Sequence, residues 1–348
     1  MYSESDLENA VVAGVISPEA ATAFRNHTAQ LRSAPAVDEE QFKLLTGFND
    51  IFVAIALVLS LGAIGQIGWQ IMQPLGGAAV AGAAWLFAEY FTRRRRMALP
   101  SILLLLAFAG GVAATMIGVL VRLEVDVPDR TASLIMGGIA LVTAGATWLH
   151  WRRFMVPITV AAGAVALVAT AAALLVGALG LTQDALYPLS LVGGLGVFAL
   201  AMWWDVSDRE RRTRRSDVAF WLHLAAAPLI AHPIFHMLGV LNNQVDVARA
   251  LLVIGLYLAF AFVALAIDRR ALLVSSLAYV LYAMYALIQQ TGAVELSAAL
   301  TAFVIGSALL TLSVFWHQMR RMVVTLLGGL QHRLPPVQSP VSVQGIPA

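Results

Sequence analysis

His232 and His236 stand four residues apart in a chain that is 60% hydrophobic and only 12% charged. On a helix that spacing puts both imidazoles on one face, where they could chelate one Zn, Cu or Ni ion. They could equally bind a small solute or pass a proton. The structural alternative is a pair of rings hydrogen-bonded across helices or to nearby backbone carbonyls. Pro228 and Pro233 supply such carbonyls, because each proline removes one backbone donor inside the same apolar run. A helix interrupted at membrane depth is a common way to build a solute site, so a broken segment is expected here. His223 lies nine residues before His232, nearly on the opposite face of an ideal helix. Tyr279 and Tyr282 recur on a later apolar run and could line a polar cavity facing the histidines. Their alternative role is core packing with satisfied hydroxyls.

Further metal ligands would have to come from Asp184, Asp246 or Glu295 in the breaks between runs. The chain holds no cysteine, which excludes disulfides, thiolate metal sites and cysteine nucleophiles. No phosphate-binding loop, nucleophile elbow or dinucleotide fingerprint is present, and no cofactor is expected beyond a divalent metal at the histidine pair. Glu89 and Arg93 form a second candidate, an i, i+4 ion pair at the end of an apolar run. Glu89 is the only carboxylate read inside a span, and its alternative role is an interfacial pair at the water boundary.

The elements that must carry these residues are apolar runs of 17–24 residues, each long enough to cross a hydrocarbon core of about 30 Å. Ten are predicted, at 51–70, 75–91, 100–121, 132–150, 156–179, 188–204, 218–240, 250–267, 271–288 and 297–316. The fold class is therefore an all-α polytopic membrane bundle of about ten helices. Nineteen basic residues fall in even-numbered breaks and at the termini, against three in odd-numbered breaks. The positive-inside rule then places both termini in the cytoplasm. With 21 arginines and a single lysine, Lys43, the composition points to a bacterial protein of the inner membrane.

Residues 1–49 read as a cytoplasmic helical segment. Ser5 and Glu8 fit a capping box, Gly14 a stop, and Ser17-Pro18 a restart. Ala21, Phe24 and Leu31 mark the apolar face of that second helix, and Asp38 opens a third. No cleavable signal peptide is read there, so the first span is expected to act as the anchor. Seven acidic and three basic side chains in this segment exclude nucleic acid as a partner and leave a cytoplasmic protein as the candidate. After the ten spans, 317–333 reads as an amphipathic interfacial helix with Met319, Met322, Val323, Leu326, Leu327 and Leu330 on its apolar stripe and Arg320 off it. Residues 334–348 read as a disordered tail.

The stretch Leu7, then Gly14-Val15-Ile16-Ser17-Pro18-Glu19, ahead of many spans, resembles a bacterial predicted-membrane-protein family of unknown function. That resemblance covers about 30 residues and implies an inner-membrane protein with no assigned site. Glu89 to Arg93 is also similar to the glutamate–arginine motif of intramembrane abortive-infection-type proteases. The pattern departs at Ala88, where that family has a second glutamate, and no Phe precedes His223, His232 or His236 by four residues.

Three functions follow as expectations. The first is a permease for a small neutral or weakly ionised solute, bound at the seventh span. The second is a non-catalytic scaffold or sensor acting through residues 1–49. The third is a metal-dependent membrane enzyme using His232 and His236.

Overall fold

A computed structural model describes residues 4–31, 48–208, 213–239, 247–290, 297–329 and 334. The chain divides into a unit formed by Met1–Phe42 with Val337–Ala348 and a larger unit, Lys43–Pro336.

In the smaller unit, α1 spans Glu4–Val12 and α2 spans Pro18–Leu31. Ser5 lies inside α1 and not at its cap, so the predicted capping box is corrected: the helix starts at Glu4, two residues earlier than that cap would place it. The stop at Gly14 is real, with φ +70°. The restart is also real. Ser17 caps α2 by accepting from the Ala20 N–H at 3.1 Å, and Pro18 takes the first helical position. The backbone N–H of Glu19 and, after it, the Ser17 side chain hold the Glu19 carboxyl below the usual carboxylate range. Ala21 is buried, whereas Phe24 is half-exposed. The third helix predicted from Asp38 lies outside the described residues.

The larger unit is wholly helical among its described residues. Its helices are α3 (Phe48–Ile71), α4 (Gln73–Ala88), α5 (Ala98–Arg122), α6 (Asp129–Phe154), α7 (Ile158–Leu179), α8 (Leu186–Ser207), α9 (Arg214–Met237), α10 (Val247–Ile267), α11 (Ala271–Gln290), α12 (Ser297–Val314) and α13 (Trp316–Leu326). Each of the ten predicted spans coincides with one helix from α3 to α12. Eight are long and apolar enough to cross a membrane. The other two are α4, with 16 residues continued by a π-helical turn over Glu89–Arg94, and α11, with its apolar stretch at Ser276–Tyr285. The chain is an integral, multi-pass membrane protein. In a bilayer no water satisfies the backbone, so an apolar run has to close its own hydrogen bonds as a helix.

Helices pack mainly as sequential antiparallel pairs: α4 on α5, α6 on α7 and α8 on α9. Glycines set the first of these. A Cβ at Gly111 would lie 2.8 Å from the carbonyl oxygen of Gly77, so the two backbones are in direct contact there. One core forms among α3, α4 and α5 around Leu57, Leu104 and Phe108, and another among α7, α8 and α9 around Ala161, Val197 and Leu222. A third joins α9 to α10, α11 and α12 around Phe235, Val253 and Val280. Helix α9 belongs to two of these cores. It is 56% buried across its central window, against 33% or less for every other membrane-length helix. The outer helices leave Leu59, Leu86, Phe303 and Leu310 exposed, the apolar surface a lipid phase would cover.

One predicted feature needs correction. Helix α9 is not broken: Pro228 and Pro233 lie inside one continuous helix. Helix α13 turns Trp316, Arg320, Val323 and Val324 inward and leaves Met322 and Leu326 exposed. Met322 and Leu326 of the predicted apolar stripe thus lie on the surface, the side an interfacial helix turns to lipid. Arg320, off that stripe, reaches Asp268 on the α10–α11 turn, Nε to Oδ1, at 3.5 Å.

Candidate functional site

The histidine pair of α9 is held by aromatic neighbours. The Nδ1 of His232 lies 2.6 Å from the Tyr279 hydroxyl on α11. The ring of His236 stacks on Tyr187 in the first turn of α8, with centroids 3.5 Å apart and planes 11° from parallel. Tyr187 also approaches His232, at 6.1 Å. Phe235, fully buried between the two histidines in sequence, stacks on Tyr279 at 4.3 Å. Three helices therefore converge on two imidazoles and two phenols. His232 remains exposed, while His236, Tyr187 and Tyr279 are half-buried. All four groups can hydrogen-bond without carrying charge.

The sequence-predicted residues divide accordingly. His232, His236 and Tyr279 share this cluster. Tyr282 packs with the apolar core of α9 to α12. Pro228 is exposed and Pro233 buried, and neither opens the helix. Pro233 still leaves the Leu229 carbonyl without its normal donor. Helix α8 meets that point with Gly194, whose Cβ, if it had one, would lie 2.9 Å from the Leu229 oxygen. The α8 backbone thus packs directly against the freed carbonyl. Close packing of α8 at Leu229 accompanies Pro233 in an intact helix.

No group of three histidine or acidic side chains disposed for a metal occurs among the described residues. Of the proposed extra ligands, Asp184 is exposed in a short 3-10 turn, and Asp246 and Glu295 lie outside the described residues.

Glu89 does pair with Arg93, at 3.3 Å, and more closely with Arg153 at the end of α6. Arg153 grips both carboxylate oxygens, at 2.6 and 2.9 Å. This two-pronged bond ties the π-helical turn after α4 to α6. It is partly exposed, so its contribution to stability is small.

Sequence reasoning missed a third group. Asp205, three residues from the α8 terminus, is 4% exposed and receives the guanidinium of Arg269 from both Nε and Nη2. The Nε2 of His223 lies 2.8 Å from Oδ2, the oxygen that Arg269 Nε also bonds. Arg269 also donates to the Ser216 carbonyl at 3.3 Å and to its hydroxyl at 3.2 Å. Arg269 is 1% exposed and His223 is wholly buried. A buried ion pair of this kind persists only when its remaining hydrogen-bonding capacity is also used. A carboxylate bonded by a guanidinium accepts only, so Nε2 of His223 carries the proton it shares with Asp205.

The residues flanking Arg269 reach elsewhere. Asp268, in the left-handed conformation at φ +58°, accepts from the indole N–H of Trp316 at 2.8 Å. Arg270 lies over the Trp316 ring at 4.9 Å. Three consecutive residues therefore bind α8, α9 and α13.

Compared with family models, curated proteins and solved structures, the chain matches none of them.

Proposed function

We propose that this protein is a permease for a small neutral or weakly ionised solute, in the bacterial inner membrane with both termini in the cytoplasm. The observation that carries the reading is the exposed His232–Tyr279 pair beside the stacked Tyr187–His236 rings, a polar, uncharged patch made by three helices of an apolar bundle. Imidazole and phenol groups offer donors and acceptors to hydroxyl, amide or carboxylic-acid solutes. The buried Asp205–Arg269 pair stands near the opposite, arginine-rich ends of the same helices, where a closure belongs in an alternating-access carrier. The arginine bias between alternate breaks supports the orientation.

Purified protein in proteoliposomes, tested with a panel of radiolabelled sugars, amides and weak acids, should take up one class selectively. His232→Ala and Tyr279→Phe should each reduce that uptake at least tenfold. No selective uptake across the panel removes the reading. Elemental analysis of the wild type against the His232→Ala/His236→Ala variant separates it from a metal-dependent enzyme. Stoichiometric metal that disappears in the variant would replace the carrier with a metal site.

A further inference from the structure

We propose that the cavity among α10, α11, α12 and α13 seats one acyl chain of an anionic phospholipid, with the lipid phosphate at Arg270. The inference stands apart from the identity of any solute and from transport itself.

The four helices leave a space of about 210 Å³ between them. Leu273 and Leu277 of α11 form one wall, and Leu309 and Leu312 of α12 form the other. Protein interiors hold few voids larger than a water molecule, whose share of liquid volume is about 30 Å³. This space is several times that size, so it is no packing defect. A cavity walled by leucine stays dry and accepts an apolar guest.

The cavity is graded from charge to hydrocarbon. Arg270 and Trp316 line it at one end, together with Ser313. Arg270 precedes Leu277 by seven residues, about 10 Å of helix rise. Tyr257, which also lines the space, lies ten residues from the last residue of α10, about 15 Å of rise. That is about half of a 30 Å hydrocarbon core. The cavity therefore belongs to one leaflet, with a cation at the water boundary and apolar walls at the depth of the acyl chains.

The charged end is built to be fixed in place. The Trp316 ring is buried and held by its N–H to Asp268 at 2.8 Å. Arg270 lies over that ring at 4.9 Å and is itself exposed. A guanidinium presents a planar fork of donors that matches phosphate oxygens. Asp268 is engaged by Trp316 and Arg320, and Arg269 turns away to Asp205. Arg270 and Arg321 are the exposed charges of this end, both cationic, which favours an anionic headgroup over a zwitterionic one. Lipid along a flat helix face exchanges freely, whereas a chain seated in a recess and held by charge stays with the protein.

Native mass spectrometry of the full-length protein in detergent tests this, after incubation with equal amounts of phosphatidylglycerol and phosphatidylethanolamine. The wild type should retain one phosphatidylglycerol per chain, at least fivefold over phosphatidylethanolamine. Arg270→Gln should lower the retained fraction at least fivefold. Arg270→Lys keeps the charge and should stay within twofold of the wild type. Leu309→Phe narrows the recess with Arg270 intact and should lower retention at least threefold. A wild type that retains no lipid, or both headgroups alike, overturns the proposal. Undiminished retention in both Arg270→Gln and Leu309→Phe places the lipid elsewhere and overturns it too. A retained free fatty acid, or a lipid-free dimer, gives the cavity another occupant and has the same force. Failure of uptake in vesicles would leave this result untouched.

Discussion

Among the described residues two histidines of this bundle are wholly buried, and they are held in opposite ways. His150, in the last turns of α6, sits among Trp85, Phe108 and Phe154, with ring centroids 6.1, 5.6 and 4.6 Å away. Its Nδ1 is 3.4 Å from the Thr159 hydroxyl, and its Nε2 has no hydrogen-bond partner among the described residues. His223 instead stands in a charged network, with a carboxylate at 2.8 Å and a guanidinium on that carboxylate. The first ring is a shape in an aromatic core with a polar atom left over. The second is a component of an electrostatic arrangement whose members depend on one another. Equal burial therefore says little about what a histidine does; the neighbours decide.

Substitutions break this contrast in a graded order. The largest effect belongs to Asp205→Ala, which strands Arg269 without its counter-charge and should cost about 3–5 kcal/mol. Thermal unfolding in detergent would show it, and the Asp205→Leu/Arg269→Met double variant should recover much of the loss. If the double variant is as unstable as the single one, the pair is not the unit described. Next comes Gly194→Ala on the α8–α9 contact. A methyl there meets the Leu229 backbone, and overpacking of this kind costs about 1–3 kcal/mol. Trp316→Phe deletes the bond to Asp268 and should lower stability by about 1 kcal/mol, with faster exchange confined to α13 and the α10–α11 turn.

The other side of the comparison predicts near silence. His150→Phe removes an orphaned nitrogen and keeps an aromatic ring in the cage, so its melting temperature should lie within about 1 kcal/mol equivalent of the wild type. A drop as large as that of Asp205→Ala would show that His150 has an essential partner. Smallest of all is Glu89→Gln, about 0–1 kcal/mol and diminishing with added salt, because that pair faces solvent.

The architecture was largely legible before any coordinates. Apolar runs of membrane length have one backbone solution in lipid, and each predicted span coincides with a helix. The His232–Tyr279 contact was legible only as two separate residue types, since no local spacing links positions 47 apart. The Asp205–Arg269 pair was hidden for a physical reason. Asp205 follows the predicted span 188–204 by one residue, and Arg269 follows 250–267 by two. Charges at span ends read as solvated, yet the helices run past those limits and fold them inward. One signal was available: His223 inside a span, on the opposite face from the other histidines, with no role of its own. The unbroken α9 was misread because proline chemistry is local while the packing at Leu229, from Gly194, comes from another helix.

The three-way turn at Asp268, Arg269 and Arg270 also governs where this chain can change length. Exposed connections usually tolerate insertions, because their ends need only remain close. Here Asp268 and Arg270 both face α13, while Arg269 between them faces α8 and α9. One added residue would exchange their assignments and leave a guanidinium where a carboxylate is required. This three-residue link is thus a place closed to insertion, tagging or circular permutation.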